Sequence, residues 1–234
     1  MSFSAIKYIE LLRAGHSSAR ESCAKKPSRI DRAIDKAFKF FIILSNKKMR
    51  ITSGKARGII LKSPKGDATR PATDAARQAV FSSISDFVSG ANVLDLFAGT
   101  GSYGLEALSR GARSAVFVEN SRQAAACLKE NVSAIKKSMG EIEARIVSAD
   151  CFSLKPESFE EPFDLIFADA PYPLLQKKSD EIFALLLRFS SPETLVMLEA
   201  PAEFEPPETS AFEVLKRLGK NSKGKPSQLL MRRI

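Results

Sequence analysis

Two runs in this 234-residue chain set acids where loops leave apolar segments: Val93-Leu-Asp-Leu-Phe-Ala-Gly-Thr-Gly101 and Phe163-Asp-Leu-Ile-Phe-Ala-Asp-Ala-Pro-Tyr172. The first loop is glycine-rich and lets the backbone pass close to a nucleoside-bearing ligand. The second sets hydrogen-bond acceptors beside an aromatic ring, which suits an exocyclic amine on a flat base. Gly99-Thr-Gly-Ser-Tyr-Gly104 fits G-x-G-x-x-G, and Glu119 stands 20 residues beyond Gly99. A dinucleotide-binding turn carries the same signature, so the neighbours must decide. Asp95 lies four residues before Gly99. Its carboxylate would oppose a pyrophosphate at the helix N-terminus and would favour a ligand bearing an ammonium and a sulfonium. S-adenosylmethionine is such a ligand. On this reading Asp95, Phe97, Ala98, Gly99, Thr100 and Gly101 form the cofactor turn. Glu119 accepts hydrogen bonds from both ribose hydroxyls. Asp150 contacts the adenine amine, and Cys151 and Phe152 line its ring. Phe97, like Phe117, is also expected to serve the core.

An aromatic amine is a weak nucleophile because its lone pair is delocalised into the ring. It must be held with that lone pair facing the methyl group. Asp169, through its carboxylate, and Ala170, through its carbonyl, are the two acceptors that can hold it. Pro171 stiffens the turn, and Tyr172 stacks on the base, worth about 1–3 kcal/mol. Catalysis is then mostly positioning for in-line transfer, with Asp169 also placed to take up the released proton. No metal is called for, because the sulfonium leaving group is already activated. Cys23, Cys127 and Cys151 are widely spaced and His16 is the single histidine, so no metal-ligand spacing occurs. Such cysteines read as free thiols in a reducing cytoplasm.

The surrounding elements follow from periodicity. Strands are expected at Asn92–Phe97, Ser114–Glu119, Ala144–Ser148, Asp164–Ala168 and Thr194–Glu199, with helices near Tyr103–Arg110, Arg122–Lys137 and Asp180–Arg188. Phe212–Leu218 and Gln228–Arg232 complete the set as two tail strands. Strands alternating with helices imply an α/β domain with a parallel sheet covered on both faces. Ahead of it, residues 50–62 read as a β-hairpin around Gly54 and Gly58, followed by a helix over Ala75–Phe87. Three regions result: 1–48, a basic extension; 49–90, hairpin and helix forming an RNA-facing subdomain; and 91–234, the catalytic domain. In the first region Phe3, Ile6, Ile9 and Leu12, then Ile30, Ile34 and Phe38, recur at helical spacing. Met49 opens a new pattern, and translation starting there is one expectation.

Charge is unevenly placed. Residues 1–50 hold 12 Lys and Arg against 4 Asp and Glu, while residues 51–234 hold 24 against 23. A basic front on a near-neutral body suits a polyanionic partner. No run of about 20 apolar residues occurs, so no membrane span is expected.

From Met49 onward the chain resembles the bacterial methyltransferases that modify the 2-amino group of a guanine in 16S ribosomal RNA. The motifs that carry the likeness are Met49-Arg-Ile-Thr-Ser-Gly-Lys-Ala-Arg-Gly58, Arg70-Pro-Ala-Thr-Asp74, Arg77-Gln-Ala-Val-Phe81, Asp95 to Gly101, Gly104-Leu-Glu-Ala-Leu-Ser-Arg-Gly111 and Phe117-Val-Glu119. The resemblance implies a Rossmann-like seven-stranded methyltransferase sheet whose last strand is antiparallel, with a small β-hairpin beside the cofactor cleft. It also implies an enzyme acting on 16S rRNA, within the small ribosomal subunit or an assembly intermediate; a cytoplasmic monomer is the simplest expectation. Candidate RNA contacts are Lys55, Arg57, Lys62, Lys65, Arg70, Thr73 and Arg77, with Arg70 and Arg77 favoured by their place in a matched motif. The family's Asp-Pro-Pro-Tyr reads Asp169-Ala-Pro-Tyr172 here, which keeps the carbonyl at Ala170 but loosens one φ. Ala72 and Gln78 also depart from the pattern. A DNA amino-methyltransferase and a non-catalytic assembly factor are the alternatives. Asp95 argues against a nicotinamide or flavin oxidoreductase.

Overall fold

The computed structural model describes residues 49–64, 73–159, 161–208, 210–219 and 222–234. The basic extension 1–48 and the segment 65–72, which holds Lys65, Arg70 and Ala72, lie outside the described residues. The strands are β1 (Asn92–Asp95), β2 (Ser114–Val118), β3 (Glu143–Val147), β4 (Leu165–Ala168), β5 (Leu195–Pro201), β6 (Phe212–Gly219) and β7 (Pro226–Arg233). The helices are α1 (Asp74–Ser83), α2 (Ser102–Ser109), α3 (Arg122–Met139), α4 (Tyr172–Lys177) and α5 (Ser179–Phe189).

The strands form one sheet in the order β3-β2-β1-β4-β5-β7-β6. β7 pairs antiparallel with both its neighbours, while β1 to β5 pair in parallel. The implied seven-stranded sheet with an antiparallel last strand is therefore present. Every residue of β1, β4 and β5 is buried, as expected of central strands covered on both faces. Alternation along them feeds two cores. Val93, Leu165, Phe167 and Met197 join Phe81, Tyr103, Leu105 and Leu128 on one face. Leu94, Leu96, Ile166 and Val196 join Leu185, Leu186 and Leu229 on the other. The chain runs outward from β1 to β3, then returns to β4 on the other side of β1. This reversal leaves a crevice at the strands' carboxyl ends, where open α/β sheets hold their ligands.

The hairpin over 50–62 is looser than the sequence suggests. Among the described residues its one β-bridge is Arg50 with Ile60, supported by Ile51 N–H to the Ile59 carbonyl (2.9 Å) and Leu61 N–H to the Met49 carbonyl (2.8 Å). The reason is competition for its backbone. Thr52 and Ser53 N–H donate to Glu106, Lys55 N–H to the Ser109 carbonyl and Ala56 N–H to Ser109 Oγ. The segment is thus a ribbon laid along α2. Gly54 needs to be glycine there, because a Cβ would sit 1.9 Å from the Ser109 carbonyl oxygen. Met49, Ile51, Ala56, Leu61, Val80 and Phe81 share the core of Val93 and Phe167. The helix expected to reach Phe87 stops at Ser83, and a separate 3₁₀ turn covers Ser85–Phe87. α4 was not legible in the sequence: Tyr172, expected in a loop, is its first residue.

Candidate active site

The turn after β1 is built by two left-handed glycines, Gly99 (φ 54°) and Gly101 (φ 82°). They answer different constraints. A Cβ on Gly101 would lie 2.4 Å from Leu128 Cδ1, and one on Gly104 2.3 Å from Phe117 Cε1. These two glycines let α2 pack closely on its neighbours. A Cβ on Gly99 would meet nothing within 4 Å, so its far side faces open space where a ligand can approach. Ala98 N–H donates to the Val118 carbonyl (3.0 Å) and Gly101 N–H to the Ala98 carbonyl (2.7 Å), which fixes the turn against β2. Phe97 is half-buried against the core of the opposite face.

Asp95 ends β1, and its Oδ2 accepts from the Gly104 N–H at 3.0 Å. The side chain therefore satisfies a donor of the first turn of α2 from across the loop. Burial pushes its carboxyl up to about 7; the Gly104 bond opposes that rise, and the Glu119 charge adds to it. Glu119 accepts from Gly99 N–H and Ser121 N–H, both at 2.7 Å, one on each oxygen. Each carboxylate oxygen has a second lone pair, so ribose hydroxyls can still be accepted. Asp150 is exposed and caps the 3₁₀ turn Cys151–Ser153, accepting from Phe152 N–H (3.0 Å). Cys151 is buried, and burial with the nearby Asp150 charge pushes its thiol up to about 12, so it is a neutral wall and not a nucleophile.

β4 lies beside β1 and delivers Asp169 to the same edge of the sheet. Its carboxylate takes no hydrogen bond from another described residue. Burial, then the charges of Glu199 and Asp95, hold its carboxyl well above the usual carboxylate range. Ala170 is buried. Pro171 is exposed and is the N-cap of α4, its carbonyl accepting from Leu174 N–H (2.8 Å) and Leu175 N–H (2.9 Å). Tyr172 is half-buried, and burial with the Glu199 and Asp169 charges pushes its hydroxyl upward, so it stays a neutral phenol.

Two members of this cluster escape a reading of the motifs. Glu199 stands on β5 with 5% exposure. Its Oε2 accepts from the Tyr103 hydroxyl (3.2 Å) and Gln228 Nε2 (3.3 Å). Burial raises its carboxyl, while these two bonds lower it. Tyr103 stacks on Phe167 at 5.1 Å between ring centroids. The available signal was a lone acid in the apolar run Leu195-Val-Met-Leu-Glu-Ala200: a charge inside a buried strand is costly and calls for a reason. Asp95, Asp169 and Glu199 together give the crevice a carboxyl-rich lining at three adjacent strand ends, in which burial favours the neutral form of each.

The proposed RNA contacts are not brought together. Lys55 and Arg57 are exposed at the ribbon's turn, but Lys55 N–H bonds the Ser109 carbonyl at the far end of α2, about 11 Å of helix from the glycine turn. Lys62 is exposed and pairs with Glu130. Thr73 Oγ1 caps α1 by accepting from Ala76 N–H (3.2 Å). Arg77 requires correction: its side chain is fully buried, near Asp74 (3.0 Å) and Glu106 (3.6 Å) and donating to the Arg50 carbonyl. It cannot reach an RNA phosphate. Its motif position reflects a structural ion-pair network, in which Arg110 also binds Glu106 at 2.8 Å.

A family described as conserved hypothetical protein 95 matches residues 49–225. YlbH of Bacillus subtilis (strain 168), a proposed rRNA methyltransferase, is 32% identical over 176 residues, spanning 72% of this chain and 91% of that protein. Ribosomal RNA small subunit methyltransferase D of Escherichia coli (strain K12) is 34% identical over 124 residues, 53% of this chain and 60% of that protein. Among solved structures, yhhF of Escherichia coli, a proposed methyltransferase, matches with a TM-score of 0.65 and 29% identity over 80% of this chain and 98% of that one.

Proposed function

The chain belongs to the family described as conserved hypothetical protein 95 and has the seven-stranded methyltransferase fold; from that premise we propose that it transfers a methyl group from S-adenosylmethionine to the exocyclic 2-amino group of a guanine in 16S rRNA. The relatives named for rRNA methylation support the substrate class. The observation that carries the reading is the meeting of the glycine turn of β1 with the Asp169–Tyr172 loop of β4 on adjacent strands.

The residues fit a cationic nucleoside donor. Gly99 presents an open face, and the buried carboxyls would be penalised further by a pyrophosphate but would ionise beside a bound sulfonium and ammonium. Asp95 and the turn Phe97–Gly101 would hold the amino-acid part, Glu119 the ribose, and Asp150 with Cys151 the adenine. When bound, the donor supplies an activated methyl group. The chain's own work is to orient the acceptor. Asp169 and the Ala170 carbonyl would accept from the two amine hydrogens, turning the nitrogen lone pair toward the donor. Forming the new N–C bond releases one proton, which ionised Asp169 is placed to accept. Tyr172 would stack on the base as a neutral ring. Lys55 and Arg57 would contact phosphates at a distance from the target base. The enzyme would act in the cytoplasm as a monomer, on the small subunit or an assembly intermediate.

The test is incubation with radiolabelled S-adenosylmethionine and, in parallel, immature small subunits, naked rRNA and duplex DNA. Label at one guanine N2 of 16S rRNA is the expected result. Label in DNA, or cofactor binding without any transfer, overturns the assignment.

A further inference from the structure

Asn131 is 1% exposed on α3, and its amide makes three hydrogen bonds. Oδ1 accepts from the Lys62 N–H (2.7 Å), and Nδ2 donates to the Lys62 carbonyl (3.0 Å) and to the Thr100 carbonyl (2.9 Å). Both amide hydrogens are thereby used. Lys62 follows the ribbon's closing bonds, and Thr100 is the middle residue of the Gly99–Gly101 turn. The ribbon's other end reaches the same residue, for the Thr100 hydroxyl contacts Met49 Sδ at 3.8 Å. The tip of the ribbon is anchored elsewhere, on Glu106 and Ser109. Thus one buried side chain fastens the cofactor turn to the ribbon, independently of the anchor at the tip.

We propose that Asn131 is a positioning residue that makes the shape of the cofactor turn depend on the docked N-terminal ribbon, so that cofactor binding and docking of the Lys62 end stabilise each other. The proposal rests on the cofactor assignment above. The physical basis is that the turn has two left-handed residues and few side chains of its own to hold it, while a buried amide with all its partners met is geometrically demanding. Coupling of this kind is reciprocal by necessity.

The experiment measures S-adenosylmethionine affinity by calorimetry for the full chain, Asn131→Ala and Thr52→Ala, well below each melting temperature. Asn131→Ala should weaken binding by about tenfold. Thr52→Ala, which loosens only the tip anchor on Glu106, should lower the melting temperature and leave affinity within about twofold. Equal affinity in Asn131→Ala and the unaltered chain overturns the proposal while sparing the cofactor assignment, and so does an equal loss in both variants. No binding by the unaltered chain overturns both. If Asn131→Ala does not fold, hydrogen exchange of the Lys62 amide in the unaltered chain decides. S-adenosylhomocysteine should slow that exchange, and an unchanged rate overturns the coupling.

Discussion

At the scale of single residues, the crevice holds three carboxylates whose environments resist ionisation, and this sets how it responds to pH. Asp95 has a folded value of about 7, above its ordinary 3.8. The folded state therefore holds this proton more tightly than the unfolded chain. The resulting stabilisation is complete below the ordinary value and is lost as pH rises through about 7. Thermal melts should show a decline over that window which Asp95→Asn removes; an identical slope in the variant would refute the assignment. Asp169 is shifted in the same direction, and only its ionised form can take up the proton released from the amine. Turnover should accordingly rise with pH until Asp169 is deprotonated. Asp169→Ala should abolish turnover yet leave cofactor affinity within a few-fold, and a collapse of binding in that variant would contradict the division of roles. Arg77 gives the opposite lesson. A basic residue in a matched motif reads as an RNA contact, but complete burial beside Asp74 and Glu106 makes it part of the framework.

At the scale of elements, the three glycines of one motif divide between two jobs: Gly101 and Gly104 let α2 pack, and Gly99 opens the turn. Gly104→Ala drives a methyl into the Phe117 ring, and overpacking of this kind costs about 1–3 kcal/mol. Gly99→Ala meets no atom but must hold φ at +54°, a cost of about 1–2 kcal/mol. Its methyl enters the open side of the turn. Denaturant midpoints should therefore fall more for Gly104→Ala, and cofactor affinity more for Gly99→Ala. The reverse ranking would mean that the open side of Gly99 is not the ligand's. The ribbon illustrates a limit of pattern reading. Its glycines and apolar residues fit a hairpin, yet the backbone N–H groups of Thr52, Ser53, Lys55 and Ala56 turn to α2, because Glu106 and Ser109 offer better-placed acceptors than the opposite strand.

At the scale of the whole molecule, Glu106 holds the N-terminal ribbon, α1 and α2 together. It is fully buried, accepts from Thr52 and Ser53 and pairs with Arg77 and Arg110. Replacing it with alanine leaves buried Arg77 with less compensation, which typically costs about 3–5 kcal/mol. Urea unfolding of Glu106→Ala should show a loss of that order, and a change under about 1 kcal/mol would mean the network contributes little. The sequence alone determined the α/β alternation, the central strands and the acids at the ends of β1 and β4, because apolar runs of strand length and glycine turns are local signals that burial enforces wherever the chain goes. It could not decide which groups meet across separations of 29 to 96 residues. That Tyr103 and Gln228 bind Glu199, that Arg77 is buried against Glu106 and that Asn131 clasps Thr100 to Lys62 are matters of strand order and helix packing. Such partners are fixed only when the sheet closes, for an isolated polar side chain carries no mark of the group that will satisfy it.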